Sequence, residues 1–346
     1  MMQNLATIEQ TGAADLVENV LGHAAAAKIR ALAAPMVPTG GHAPVNGIDA
    51  LRFAEALNLV LFADLLKRVP EGAEYVDECV AQGRRIVLDH GALRTVLLPQ
   101  GARCAMPQGV EAFRRVLEPL GYIEVGIYPL PRLKMTGHVW CHAKLPETMP
   151  QFFVSELHVD QFSPAFAKAA VRVFGPALDR LDAATAQVLS RFAPGGSVPQ
   201  DDAVAALKVV MGLFDRQHPV PFESDYEILR AESAEAAWIA TEGNAFNHVT
   251  DRVADVEATA QGERVAGRSI KDKVEVSASG RVRQTALRAA QVKRSFRAED
   301  GTLTAQTVPG SFFEFITRRA DPATGKLDLT FDSGNATGIF KMTAAA

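Results

Sequence analysis

The stretch Gly243-Asn244-Ala245-Phe246-Asn247-His248-Val249-Thr250-Asp251-Arg252-Val253 decides the fold. Polar and buried-looking residues alternate along it with a period of two, which predicts a β-strand. Because alternate side chains of a strand point the same way, His248, Thr250 and Arg252 are predicted to share one face. A histidine and an arginine side by side on a strand face suit the binding of a metal or an anion. This strand is therefore the predicted centre of the functional site.

The composition is that of a globular protein with two domains or one large duplicated domain. The chain has 346 residues, of which 48% are hydrophobic and 22% are charged, so it can bury a sizeable core. The formal net charge of −4 argues against a general nucleic-acid-binding surface, which would be basic. A locally basic pocket for an acidic small molecule is compatible with this charge.

Three features predict a cytoplasmic protein without a membrane span. The cysteines are scattered and form no C-x-x-C pair, which favours reduced thiols: Cys79, Cys104 and Cys141. The stretch Met1–Gly12 lacks the basic start and apolar core of a secretory signal. The longest apolar stretch, Leu57–Leu66, is far shorter than the ~20 residues that a membrane helix needs.

Two parts of the chain share one order of elements, which indicates an internal repeat. Each part, residues 84–162 and residues 243–346, is predicted to contain a strand, a helix and three further strands. The elements of the first part are 85–95, 108–119, 122–130, 137–144 and 152–158. Those of the second part are 244–253, 253–266, 273–279, 290–296 and 310–318. Residues 1–83 are predicted to form an N-terminal helical segment with helices over 13–34 and 47–68, and residues 163–242 a helical insertion or linker.

Two histidines and one glutamate form the candidate metal site. His90 and Arg94 stand four residues apart in a strand-like stretch, and His248 and Arg252 repeat that spacing in the second part. Glu314 lies in an otherwise apolar strand, where a carboxylate is costly to bury unless it is paired or bound to a metal. Two imidazoles and one carboxylate suit non-haem Fe(II), although the same ligands also accept Mn or Zn.

Each of these residues also has a purely structural interpretation. A histidine beside an arginine on a strand is often only a hydrogen-bonded structural residue. Glu314 could pair with Arg318 or Arg319 at the end of its strand. The metal site is therefore predicted from the coincidence of all three residues in matching places of the repeat.

Two further polar clusters are predicted to be structural. The first resembles part of a zinc cluster, but no second ligand pair follows at a zinc-like spacing: His138, Cys141 and His142. The second alternates on one strand face, which favours a hydrogen-bonded network between the halves over a second site: Glu156, His158 and Asp160. The sequence has no phosphate-binding loop, no G-x-G-x-x-G after a strand and no G-x-S-x-G elbow.

Five segments, in this order along the chain, resemble the 2-oxoadipate dioxygenase/decarboxylase family. They are His90-Gly91-Ala92-Leu93-Arg94, Gly121–Pro129, Phe153-Val154-Ser155-Glu156-Leu157, Asn247–Val253 and Phe313-Glu314-Phe315-Ile316. The resemblance runs from about residue 84 to about residue 340. It implies an α+β fold of vicinal-oxygen-chelate type, built from paired βαβββ units, to which this chain adds helical segments.

The resemblance also implies a ligand set and a substrate site. Fe(II) would be held by His90, His248 and Glu314, and Arg94 would be the catalytic arginine that binds the substrate. Arg252 is a second candidate for this contact, or it orients the glutamate. The stretch Phe331–Asn335 is similar to the family's closing Gly-Asn loop, which makes Ser333 and Asn335 candidate substrate contacts. Pocket walls are expected from four phenylalanines: Phe246, Phe312, Phe313 and Phe315.

The activity that the resemblance implies is the conversion of 2-oxoadipate and O2 to 2-hydroxyglutarate and CO2 in lysine breakdown. Three alternatives stay open: a ring-directed, extradiol-like dioxygenase of the same fold, a binding protein without catalysis, and a saturated structural zinc protein. The expected partners are a small 2-oxo acid and O2, with no nucleic acid and no membrane. No oligomeric state is predicted.

Overall fold

The computed structural model describes residues 13–37, 47–193 and 195–331 of the chain. Its N-terminal part is helical with one short strand: α1 (Ala14–Leu21), α2 (His23–Leu32), β1 (Ile48–Asp49), α3 (Ala50–Arg68) and α4 (Pro70–Ala81). The pattern over residues 13–34 predicts one helix, but the chain turns at Gly22, where φ is 81° and a glycine is favoured. Asp49 caps α3 by accepting the Arg52 N–H at 2.9 Å.

Two βαβββ units carry the sheet. The first consists of β2 (Leu88–Leu97), α5 (Glu111–Leu117), β3 (Tyr122–Leu130), β4 (Met135–His142) and β5 (Gln151–His158). The second consists of β7 (Phe246–Arg252), α11 (Val256–Val265), β8 (Glu275–Val276), β9 (Val282–Ala286) and β12 (Phe312–Arg318). All five elements predicted for the first unit overlap the observed ones.

The two units form one eight-stranded sheet with the order β3-β4-β5-β2-β7-β12-β9-β8. β2 and β7, the first strands of the two units, are antiparallel neighbours at its centre. On either side of them, β5 pairs parallel with β2, and β12 pairs parallel with β7. The order is therefore the same from both edges inward, as expected of a duplicated unit. This confirms the predicted α+β fold of paired βαβββ units with added helices.

One strand predicted for the second unit is observed, but its place in the main sheet is wrong. The stretch 290–296 corresponds to β10 (Gln291–Arg297), which pairs antiparallel with β11 (Leu303–Pro309) in a separate two-stranded sheet. The strand that lies beside β12 in the main sheet is β9. Three polar residues, Arg283, Gln284 and Thr285, make most of β9, so its sequence lacks the apolar pattern by which strands are predicted.

The residues between the units form helices that join the N-terminal helices. The described elements are α6 (Pro164–Phe174), α7 (Ala183–Phe192), β6 (Ser197–Val198), α8 (Gln200–Leu213), α9 (Glu223–Glu232) and α10 (Ala234–Glu242). β6 pairs with β1, and α8 contacts α1 and α3. α10 leads into β7 and is buried from Glu235 to Glu242, so it places side chains beside the central strands.

The N-terminal helices cover the back face of the central strands. α3 contacts β7 and α4 contacts β12. The Tyr75 ring on α4 packs against Phe313 and Phe315, with centroids 5.6 and 4.8 Å away. Gly91 on β2 leaves room for Phe246, because a Cβ at that position would lie 2.4 Å from the phenylalanine ring. In the described ranges, none of the helices combines the length and the apolar content of a membrane span.

Candidate metal centre

Three ligand-type side chains meet on one face of the central strands. β2 and β7 pair so that His90 lies opposite Thr250 and His248 lies opposite Ala92. β7 and β12 pair with Glu314 opposite Thr250. Directly opposed residues of neighbouring strands point to the same face of a sheet. The two histidines and the glutamate therefore converge, although they are far apart in the sequence.

The distances within this group suit a shared ion. His90 Nε2 lies 3.2 Å and His248 Nε2 lies 3.6 Å from Glu314 Oε2, and the two Nε2 atoms are 3.3 Å apart. Around one ion with bonds of about 2.1 Å, ligands at right angles lie roughly 3 Å apart. Among the residues that the structure describes, these three form the one group of His, Cys, Asp or Glu with the spacing of a metal site.

Aromatic rings fix the planes of both imidazoles. Phe153 on β5 stacks on His90 with the centroids 4.3 Å apart, and Phe312 on β12 stacks on His248 at 4.8 Å. All four side chains are buried. Because the rings are sandwiched against the sheet, the Nε2 atoms are held toward each other and toward the carboxylate.

The electrostatics of the site favour a cation. Burial alone would raise the pKa of Glu314, but the two imidazoles and the Thr250 hydroxyl, which donates to Oε2 at 2.7 Å, hold that pKa below its usual value. Burial lowers the pKa of His248 to about 3, so this imidazole is neutral. Burial would also lower the pKa of His90, but Asp89 and Glu314 hold it above its usual value. A metal ion would take the place of the proton on His90.

Asp89 connects the first histidine to the end of the described chain. Its Oδ1 accepts a hydrogen bond from His90 Nδ1 at 2.8 Å, and the Arg318 guanidinium donates to both of its oxygens at 2.9 to 3.0 Å. Burial would raise the pKa of Asp89, but Arg318 and His90 hold it far below its usual value. Arg318 also donates to the carbonyls of Asp328 and Thr330. Arg318 therefore pairs with Asp89 and not with the glutamate, which was one of the two structural alternatives.

The donor set fits a divalent cation. Glu314 is 1% exposed, and a carboxylate buried to that degree needs a compensating positive charge. Two imidazole nitrogens face the same point and supply the neutral donors that Fe(II), Mn and Zn accept. Three protein ligands leave further coordination positions for small molecules, which is the property that separates a reactive site from a saturated structural one.

The two arginines of the repeated spacing have different surroundings. Arg94 is 1% exposed, and its guanidinium carbon lies 5.0 Å from the centre of the Trp238 ring on α10. Burial lowers the pKa of Arg94 to about 10, partly offset by Glu235. Arg252 is partly exposed and donates to the Glu147 carbonyl at 2.8 Å. The contact between Arg252 and the glutamate ligand that the sequence suggests is replaced by this bond.

The C-terminal segment approaches the site from the first half. Phe331, the last residue that the structure describes, packs edge-on against Phe153 and Tyr128, with centroids 5.1 and 5.2 Å away. Phe153 is the ring that stacks on His90. The predicted substrate contacts Ser333 and Asn335 lie outside the described residues.

Only one of the four predicted wall phenylalanines lies on the metal face. Phe312 is opposite His248 on the sheet and stacks on it. Phe313 and Phe315 belong to the core on the back face, because odd and even residues of β12 point to opposite sides. Phe246 belongs to the same core, because an irregularity in the pairing after His248 places it opposite Leu93. The wall on the first half comes instead from Phe153, which the sequence prediction did not include.

The two other polar clusters bind local partners. His138 Nδ1 lies 2.5 Å from a Glu124 oxygen, and Cys141 Sγ accepts from Gln151. His142 Nδ1 accepts the Leu145 N–H, so the three side chains of the zinc-like cluster are not gathered around one point. The second cluster is bonded within the first unit and not between the halves: Glu156 to Val110 N, and His158 to Thr136 Oγ1.

Sequence reasoning missed the residues that support the ligands. The alternation places Thr250 on the correct face but gives it no role. It gives no role to Asp89 and Asn247 either, although each one directly precedes a histidine of the candidate site. A polar residue next to a functional residue breaks the alternation of a strand, and such a break is a signal for a β-bulge. The sequence gives no signal for the contact of Trp238 with Arg94, because Trp238 lies in a helix that the sequence suggests only as a linker.

Comparison with known proteins shows the family and agrees with the fold. Residues 60–329 match the family described as 2-oxoadipate dioxygenase/decarboxylase. A protein of that name from Mycobacterium bovis is 26% identical over 276 residues, which are 73% of this chain and 66% of the relative. The chain spans about half to two thirds of the length of the curated relatives it matches.

Solved structures show the same architecture. A protein from Ralstonia eutropha described as a putative glyoxalase superfamily protein has a TM-score of 0.87 and 45% identity, over 92% of this chain and 98% of the other. Hydroxyglutarate synthase from Oryza sativa, solved with 2-oxoadipate, has a TM-score of 0.65 and 19% identity, over 89% and 98%. The fold is therefore the paired-unit fold of the glyoxalase, or vicinal-oxygen-chelate, superfamily.

Proposed function

The chain belongs to the 2-oxoadipate dioxygenase/decarboxylase family, and from that premise we propose that it is an Fe(II)-dependent enzyme that oxidises and decarboxylates a 2-oxo acid. The proposed substrate is 2-oxoadipate, and the products are 2-hydroxyglutarate and CO2, in the breakdown of lysine. Both oxygen atoms of O2 enter the products, so the reaction balances without an external reductant. The observation that carries the proposal is the buried group of His90, His248 and Glu314.

The protein's part in this reaction is to hold the cation on one side and to bind the substrate on the other. Bound Fe(II) would supply the Lewis acidity and the redox chemistry that bring O2 to a 2-oxo acid. The stacked rings of Phe153 and Phe312 hold the imidazoles and exclude water from the ligands. The Thr250 hydroxyl holds the Glu314 carboxylate in the orientation in which Oε2 faces both histidines.

Arg94 is the proposed clamp for a substrate carboxylate. Its side chain points to the same face as His90, because the two residues are four apart on β2. The Trp238 ring supports the guanidinium plane, and burial strengthens a charge-assisted pair with an incoming carboxylate. Arg252, Ser333 and Asn335 stay predicted substrate contacts of this proposal.

The location proposed for this enzyme is the cytoplasm. Cys79, Cys104 and Cys141 are all unpaired thiols, and Cys79 and Cys141 are buried. Unpaired thiols of this kind are typical of proteins that work in a reducing compartment.

Oxygen uptake by Fe(II)-loaded protein tests the reaction. The protein is loaded without oxygen and then mixed with 2-oxoadipate in aerated buffer. We expect one CO2 and one 2-hydroxyglutarate for each O2 consumed. Uptake with a different 2-oxo acid would keep the reaction and change the substrate. Uptake with catechols only, or no uptake by protein that holds one iron per chain, would overturn the proposal.

Arg94→Ala separates substrate binding from metal binding. We expect this variant to retain iron and to show a strongly raised KM for 2-oxoadipate, because only the carboxylate clamp is lost. Arg94→Lys keeps the charge but not the bidentate geometry of the guanidinium. Its KM should therefore lie between those of Arg94→Ala and the wild type. Loss of iron from Arg94→Ala would contradict the role of Arg94, and so would an unchanged KM.

A further inference from the structure

The pairing of β2 with β7 contains two irregularities, one beside each histidine ligand. Between the pairs Leu88–Asp251 and His90–Thr250, β2 advances by two residues while β7 advances by one, so Asp89 is an extra residue. Between the pairs Ala92–His248 and Leu93–Phe246, the extra residue is Asn247, on β7. Extra residues of this kind are β-bulges, which re-aim side chains locally.

Each extra residue contacts the ring of the histidine that follows it. Asp89 Oδ1 lies 2.8 Å from His90 Nδ1, and Asn247 Nδ2 lies 2.8 Å from His248 Nδ1. In a regular strand, neighbours point to opposite faces and cannot make such contacts. Both contacts are buried, since Asp89 and Asn247 are 5% and 3% exposed. The bulges thus bring a partner to the ring nitrogen that faces away from Glu314.

We propose that Asp89 and Asn247 are the positioning residues of the metal site, and that each one fixes the proton on Nδ1 of its histidine so that Nε2 is the donor. This inference deepens the proposed function, because it rests on a metal held by His90, His248 and Glu314. A ligating histidine commonly donates its other ring N–H to a carboxylate or an amide oxygen, which sets its tautomer and its orientation.

The two positioning residues act with different strength. Asp89 is an anion, held in place by the Arg318 guanidinium, so it makes His90 the more electron-rich ligand. Asn247 is neutral. The N and O atoms of its amide are interchangeable in shape, and its buried Oδ1 has no hydrogen-bond partner among the described residues. Turning the amide over brings Oδ1 to the place of Nδ2, 2.8 Å from His248 Nδ1, where it accepts the Nδ1 proton. Asn247 therefore orients His248 without adding charge to a site that already contains Glu314.

The test measures Co(II) affinity and the visible Co(II) absorption spectrum, which do not depend on turnover. Asn247→Ala removes the acceptor, and Co(II) affinity should fall by about 10- to 100-fold. Asn247→Asp restores an acceptor and should bind Co(II) at least as tightly as the wild type. If the role of Asn247 is purely structural, Asn247→Asp should bind Co(II) more weakly than Asn247→Ala. In that case the new buried charge destabilises the protein more than the loss of the amide does.

Asp89 needs a charge-balanced variant. Asp89→Asn alone leaves Arg318 buried without its carboxylate, which threatens folding. The double variant Asp89→Asn/Arg318→Gln removes both charges, and it should lose Co(II) affinity by about 10- to 100-fold and shift the absorption bands. Asn244→Ala is the matched control for Asn247→Ala, because Asn244 is buried near the Asn247 bulge but its side chain donates to the Arg94 carbonyl and not to a histidine of the site.

The outcomes separate this inference from the proposed function. Unchanged Co(II) affinity in both Asn247→Ala and the double variant would overturn the inference, whatever the activity of the enzyme. An equal loss in Asn244→Ala would do the same, since the effect would then be general destabilisation. Loss of affinity in the expected order, in a protein that oxidises no 2-oxo acid, would support the inference and reject the proposed function.

Discussion

The two halves of the sheet supply the candidate metal centre unequally, although they have the same architecture. When β2 is aligned with β7 so that His90 matches His248, the other residues of the two strands correspond as follows: Asp89 with Asn247, Ala92 with Thr250, Leu93 with Asp251, and Arg94 with Arg252. On the adjacent strands, Gln151 corresponds to Phe312, because each lies opposite a histidine, and Phe153 corresponds to Glu314. The histidines are therefore duplicated, whereas the carboxylate is not.

This difference explains how a symmetric fold produces an open site. If Phe153 were also a carboxylate, four side chains would surround the ion and fewer positions would be left for a substrate. The first half instead places an aromatic ring there, which stacks on His90. One half thus contributes a ligand and the other contributes a wall at the same place in the repeat.

The largest effects are expected when Glu314 and Phe153, the residues in which the two halves differ, are removed one at a time. Glu314→Ala should abolish iron retention and turnover, because it removes the anionic ligand and leaves two neutral imidazoles. Phe153→Ala should retain the metal with at most about a tenfold loss of affinity, since only the orientation of His90 is disturbed. Iron content after gel filtration and O2 uptake measure both effects. Comparable iron loss in the two variants would contradict the assignment of ligand and wall.

Phe153→Glu makes the two halves alike and should close the site. We expect Co(II) to bind more tightly, because the site gains a second carboxylate, and 2-oxo acid turnover to fall below detection, because an open position is filled. Phe153→Gln, with the same shape and no charge, is the control and should not tighten binding. Isothermal titration with Co(II) and the turnover assay give the answer. Wild-type turnover in Phe153→Glu would show that this position does not face the metal.

The sequence pattern predicts the three residues of the candidate site by two different signals. The two histidines, His90 and His248, lie in corresponding strands of the repeat, and Glu314 is a lone carboxylate in an otherwise apolar strand. The second half was harder to predict, because polar β9 has no apolar signal and the β10–β11 hairpin looks like part of the sheet. The two bulges were hard to predict for a related reason. The break in alternation at Asp89 and at Asn247 is only an indirect signal, because a bulge is defined by the pairing of two strands.

The back face of the sheet offers a comparison in folding stability. Asp251 is buried where the first half has the apolar Leu93, and it accepts hydrogen bonds from Tyr75 and Val87. Burial raises the pKa of Asp251 to about 6, from an ordinary value of 3.8, against these hydrogen bonds. The folded state therefore binds this proton more tightly than the unfolded state does. Its contribution to stability is complete below about pH 4 and is lost as the pH rises through 6.

Asp251→Asn should therefore stabilise the protein above pH 6. One pKa unit is worth about 1.4 kcal/mol, which sets an upper limit of about 3 kcal/mol for the gain. Asparagine can still accept from Val87 and bond to Tyr75. Urea unfolding from pH 4 to pH 8 should show the difference between the variant and the wild type growing up to about pH 6 and then staying level. A constant difference across this range would mean that Asp251 does not titrate in the folded protein.

The smallest expected effect comes from Thr250, whose counterpart in the first half is Ala92. The Thr250 hydroxyl donates to Glu314 Oε2 at 2.7 Å and lies 2.9 Å from His90 Nε2. Thr250→Ala makes the two halves equal here and removes a charge-assisted hydrogen bond worth roughly 1.5 kcal/mol, or about tenfold in metal affinity. Thr250→Ser keeps the hydroxyl and should bind the metal as tightly as the wild type. Thr250→Val keeps the shape without the hydroxyl and should lose as much metal affinity as Thr250→Ala. If Thr250→Val and Thr250→Ser bind the metal equally well, Thr250 acts by filling space, and the orientation of Glu314 depends on the two imidazoles alone.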